Sequence, residues 1–127
     1  MHEFTKADLI WNRACEGSTV TLSPGDRALE AMLGFHGAAM NGGVLDALEH
    51  FGSDGLEDAE AGYRYFGLED IADLLNEAKS ISKTGDDLDL WEVELDRRYG
   101  AIIPNDATLA ARFEMIFHRS PSEFAPI

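Results

Sequence analysis

Positive charge is scarce in this sequence. Ten Lys and Arg residues stand against 24 Asp and Glu, a formal net charge of −14 with the four histidines neutral. Nucleic acids and anionic membranes are gripped through Lys and Arg, so this shortage argues against both as direct ligands. Cysteine is almost missing: Cys15 alone leaves no internal disulfide and no cysteine-rich metal knuckle. Long hydrophobic runs are missing too, with nothing near the ~18 apolar residues of a spanning helix. Met1-His2-Glu3-Phe4 lacks the basic-then-apolar order of a secretory signal, so a cytoplasmic protein is expected.

What is present is a globular core. Hydrophobic residues make up 45% of the 127, ordinary for one folded domain and too many for a disordered acidic tail. They recur at three and four, the helical period, with no strand-like alternation. A first helix is expected from about Thr5 to Glu16, with Leu9, Ile10 and Trp11 apolar and Gly17 ending it. Ser23-Pro24 with Asp26 resembles a capping box before a second helix, whose face is Leu29, Met32, Leu33, His36 and Met40. Gly34 and Gly37 on that helix suit close crossings better than a phosphate loop. Asn41-Gly42-Gly43 interrupts it, a short helix with Val44, Leu45 and Leu48 follows, and Ser53-Asp54-Gly55 breaks the chain again. Further helices are expected over Leu56 to Phe66 and Leu68 to Ser80, then around Leu88, Trp91, Leu95 and Tyr99 up to Gly100. Pro104-Asn105-Asp106 opens the last, with Leu109, Phe113, Ile116 and Phe117 inward, and Phe124-Ala125-Pro126-Ile127 is apolar enough to dock back. With no repeat and no long linker, residues 1–127 read as a single all-α domain, an irregular compact bundle of six or seven short helices.

The charge is concentrated. Between Asp46 and Asp96 there are sixteen acidic residues and only Arg64, Lys79 and Lys83, which is −13 of the total −14. Asp70, Asp73 and Glu77 lie at helical spacing opposite an apolar stripe, and Asp89, Glu92 and Asp96 repeat the arrangement one helix later. Like charges so spaced cost a few tenths of a kcal/mol per pair. Glu94 and Arg98, four apart, form the clearest compensating pair. Two explanations stand equal: a basic partner uses this field, or the charge only keeps the chain soluble.

Signs of catalysis are thin. Asp86, Asp87 and Asp89 lack the ligand order and closing Glu of a calcium loop, and the four histidines form no metal motif. His36 on an apolar helix face reads as a satisfied core histidine. Cys15, without a basic neighbour, reads as an inert thiol. Asn41-Gly42-Gly43 permits positive backbone torsions and a sharp turn, which explains it without a ligand. No catalytic residue, metal or cofactor is expected, and the chain reads as a binding protein and not an enzyme.

The run Leu33-Gly34-Phe35-His36-Gly37-Ala38-Ala39-Met40-Asn41-Gly42-Gly43-Val44 resembles the signature of a bacterial family of small helical domains that includes a DNA-mimic protein. Ala59 to Phe66, Pro104-Asn105-Asp106 and Phe124 are similar as well, so the resemblance spans most of the chain. Val44 stands where that family more often has an aromatic residue. The resemblance implies an all-helical fold, allows a homodimer, and implies a domain that shows carboxylates to a basic protein such as a DNA-binding regulator. In this chain those carboxylates would be Asp70, Asp73, Glu77, Asp89, Glu92 and Asp96. A toxin-neutralising or structural binding protein, or a small-molecule or enzymatic domain centred on His36 or the Asn41-Gly42-Gly43 turn, stands as the alternative.

Overall fold

The computed structural model describes residues 5–16 and 23–126. Among them are six α-helices and no strand: α1 (Lys6–Cys15), α2 (Pro24–Gly42), α3 (Val44–Tyr65), α4 (Glu69–Thr84), α5 (Leu88–Ile102) and α6 (Asp106–Arg119). A short 3-10 turn, Pro121–Glu123, follows. The expected all-α bundle is what forms. None of these helices is long and apolar enough to cross a membrane.

Thr5 caps α1 by a capping box: its hydroxyl accepts from the Asp8 amide at 3.1 Å and its own amide donates to the Asp8 carboxylate at 2.9 Å. The expected end of this helix at Gly17 lies outside the described residues. Pro24 opens α2 as expected, and the Ser23 side chain makes no capping hydrogen bond. Asp26 has a second task. It is 3% exposed and turned inward, where it accepts from Arg13 and from the Ala125 amide, each at 2.7 Å. Arg13 also donates to the Ala125 carbonyl at 3.0 Å, so α1, α2 and the segment after α6 meet on one buried ion pair.

Helices α2 and α3 form the central layer. Leu29, Met32, Phe35 and His36 are buried, whereas Met40, expected on the same face, is 60% exposed. At that end of the helix Ala39 is the buried residue. The tight crossing is at Gly62 of α3, where a Cβ would stand 2.6 Å from the Ala28 carbonyl oxygen of α2. Gly34 and Gly37, the expected crossings, have no such close neighbour.

The α2–α3 break falls at Gly43 alone, with φ 96°, while Asn41 and Gly42 stay helical. The second break, expected at Ser53-Asp54-Gly55, falls one residue earlier: Gly52, φ 69° and ψ −173°, leaves the helical conformation and divides α3 into two helical halves at a kink. Leu68, Ile71, Leu74, Leu75 and Ala78 of the α4 region are all buried, as their spacing predicts. The helix runs on past Ser80 to Thr84, and Gly85 closes it in the left-handed conformation. The connection 85–87 is short and folds α5 back along α4, where α5 buries only Leu95 and Tyr99 and continues past Gly100 to Ile102. Leu109 and Phe113 of α6 complete the core, and Phe124 docks beneath them, its ring 5.5 Å from that of Phe113.

Candidate functional site

All six carboxylates proposed from spacing, Asp70, Asp73, Glu77, Asp89, Glu92 and Asp96, lie on exposed residues of α4 and α5. Their electrostatic states differ. Arg64 reaches from the end of α3 to both Glu69 and Asp73, the latter at 3.0 Å. Glu77 is held bidentately by Arg98 of α5, at 2.7 and 3.2 Å, and this hydrogen bonding lowers its carboxyl pKa. The expected Glu94–Arg98 pair is not the one that forms. Glu94 takes Arg97 instead, which leaves Arg98 to tie α5 to α4.

Asp96 has a structural task. Its carboxylate accepts from the Val44 amide at 2.8 Å, covering the N-terminus of α3 after the Gly43 turn. A Cβ on Gly43 would lie 2.9 Å from that carboxylate, so the small residue and the positive φ are both required there. Gly43 of the Asn41-Gly42-Gly43 motif is thus explained by a helix junction capped from α5.

Asp70, Asp89 and Glu92 have no ion pair or side-chain hydrogen bond among the described residues. They are not neighbours. The hairpin sets Asp70 toward the start of α4 and the other two beside its end, a separation of ~15 Å along a helix rising ~1.5 Å per residue. Asp89 and Glu92 instead share a groove of about 590 Å³ with Asp46 and Glu49 of α3. Lys79 and Lys83 of α4 line its remaining wall. Asp46 and Glu49 belong to the acidic segment, but nothing in their local spacing points toward α5. Folding alone brings residues 46–49 and 89–92 together.

His36 is buried at 5% exposure and fully engaged. Its Nδ1 lies 2.7 Å from the Tyr99 hydroxyl, which lies 2.6 Å from the Tyr63 hydroxyl, and its Nε2 lies 2.8 Å from Asp106. Burial pushes both tyrosine hydroxyls well above their usual pKa. This buried row links α2, α3, α5 and α6. His36 lines neither that groove nor the larger one, about 940 Å³, between α1, α2 and α3. His50 and His118 sit apart on α3 and α6. Cys15 is exposed, and partial burial of its thiol, aided by Asp106 and Glu16, raises its pKa, which disfavours the nucleophilic thiolate. No group of three or more His, Cys, Asp or Glu side chains among the described residues is placed to hold a metal ion.

A family model, that of the DMP19-like protein, matches residues 20–119. No curated protein and no solved structure was found to match the chain.

Proposed function

The chain belongs to the DMP19-like protein family, and on that premise we propose that it binds a basic protein through the carboxylates of α3, α4 and α5, as a mimic of DNA. The observation that carries this reading is the concentration of −13 of the net charge between Asp46 and Asp96. Asp70, Asp89 and Glu92 are displayed there on helices, in no ion pair among the described residues. Duplex DNA presents closely spaced negative charge along a rod, and proteins meet it with Lys and Arg. Carboxylates fixed on packed helices compete for the same basic surface. The protein would then act by stoichiometric occupancy and not as an enzyme, with a DNA-binding regulator as the fitting class of partner.

Competition is the test. The domain is immobilised at about 0.1 and 0.5 M salt, where screening separates charge-driven from apolar association. A bound DNA-binding protein released by added duplex supports mimicry. A partner retained at low salt but indifferent to DNA favours a toxin-neutralising or structural binder. Retention unchanged at high salt removes the electrostatic reading.

A further inference from the structure

We propose that the groove between the first half of α3, the end of α4 and the start of α5 is the docking site for one amphipathic helix of the partner. That helix carries an apolar stripe flanked by Arg or Lys. The proposal rests on the acidic-binding reading and narrows it from a charged surface to a shaped one.

Gly52, where α3 bends, lines the groove, and apart from its own stretch of chain nothing lies within 4 Å of where its Cβ would be. The walls are chemically distinct. Leu45, half-buried, supplies apolar surface from α3 and Leu88, 37% exposed, supplies it from α5, with the buried Leu48 and Leu56 behind them. Asp46 and Glu49 stand on one side and Asp89 and Glu92 on the other, none of the four in an ion pair or side-chain hydrogen bond among the described residues. An apolar base between two acidic walls complements a helix with leucine-like residues along one face and cations on both shoulders. Duplex-binding proteins commonly present such a basic helix to the major groove.

Lys79 and Lys83 add a condition that DNA does not impose. Neither forms an ion pair among the described residues, and both line the same groove. An occupant made only of cations would meet them unfavourably. The fitting helix therefore places an acceptor against α4, either an acidic side chain or its own C-terminal carbonyls. The groove thus selects among basic helices, whereas a uniform acidic face would accept them all.

The test uses the full chain and two synthetic helical peptides of about 16 residues, long enough to form helix on binding. One has a leucine stripe flanked by arginines and a C-terminal Glu. The other has the same charges with serine for leucine. Affinity is read by fluorescence anisotropy and location by amide shifts in 15N–1H spectra. The leucine peptide is expected to bind about tenfold tighter, and to shift Glu49, Ser53, Ser82 and Glu92. The E49Q/E92Q variant should weaken it about tenfold, against less than about threefold for D70N/D73N. Thermal melts confirm that both variants fold. Equal affinity for the two peptides, or shifts centred on Asp70 and Asp73, overturns the groove and leaves the acidic surface standing. If neither peptide binds or shifts any amide at low salt, both readings fall.

Discussion

Carboxylates do opposite work in two regions of this molecule. Around α1, α2 and the ends of α6 they hold the fold: Asp26 pins Arg13 and the Ala125 amide, and Asp106 meets His36. On the α4–α5 hairpin most are turned to solvent; Asp73, Glu77 and Glu94 pair with arginines at the surface, and Asp96 alone of the six proposed acids takes a backbone amide, that of Val44. Net charge is therefore a poor guide to what each acid contributes. Asp26 stands apart because water has been removed from it, and a buried charge needs its partner as an exposed one does not; Asp106 and Asp96 stay exposed and hold the fold through the groups that donate to them.

Breaking that contrast starts with the largest effect. Asp26→Ala leaves Arg13 without its ion pair and the Ala125 amide without its acceptor, and should cost about 3–5 kcal/mol in urea unfolding. A loss below about 1 kcal/mol would mean that this clasp is as dispensable as a surface pair. Alkaline pH probes the same buried polar layer. All three tyrosines ionise late: Tyr65 is pushed up to about 12 by burial, then by Glu123, and Tyr63 and Tyr99 are raised chiefly by burial. Their folded pKa values exceed the unfolded value of 10.0, so this contribution to stability is complete below pH 10 and is lost as pH rises toward 12 and beyond. Tyrosinate absorbance near pH 11 should be strong in the urea-unfolded chain and weak in the folded one. Equal absorbance in the two states would contradict the buried hydroxyl row.

Tyr99→Phe strands His36 Nδ1 and the Tyr63 hydroxyl and should cost about 2 kcal/mol, read from the unfolding midpoint at constant slope. Asp96→Ala removes the Val44 cap and should cost about 1 kcal/mol, although this side chain sits on the acidic hairpin. That variant sharpens the comparison, because it separates a carboxylate's location from its task. Smallest is Asp70→Asn, expected to change stability by less than about 0.5 kcal/mol and to weaken binding of a basic partner at low salt. A large stability loss there would place Asp70 among the fold-holding acids.

The helical periodicity was legible because burial follows the three-four repeat directly, as the α4 face shows at all five positions. Where local spacing misleads, a distant residue decides. Asp26 looked like a local cap, yet its amide partner lies 99 positions away. Arg98 had Glu94 at favourable spacing, yet Glu77 on the neighbouring helix takes it. Ser53-Asp54-Gly55 has strong turn composition, but the positive torsion sits on Gly52. The candidate site follows the same rule. Asp89 and Glu92 were visible as a helical pair, but their grouping with Asp46 and Glu49 exists only after α3 and α5 pack. The functions of His36 and Gly43 as structural elements were legible from an apolar face and from torsional freedom.

The row from Asp106 through His36 to Tyr63 also has a direction. A carboxylate can only accept, so the hydrogen on the imidazole Nε2 points outward to Asp106. For an uncharged ring, Nδ1 is then the acceptor: Tyr99 donates to it, and Tyr63 donates to Tyr99. Every proton in the row faces the same way, from the centre of the bundle toward the 80% exposed Asp106 side chain. One solvent-facing carboxylate thereby sets the tautomer of a buried histidine and the orientation of two hydroxyls beyond it, giving the core an orientation that apolar packing alone would not supply.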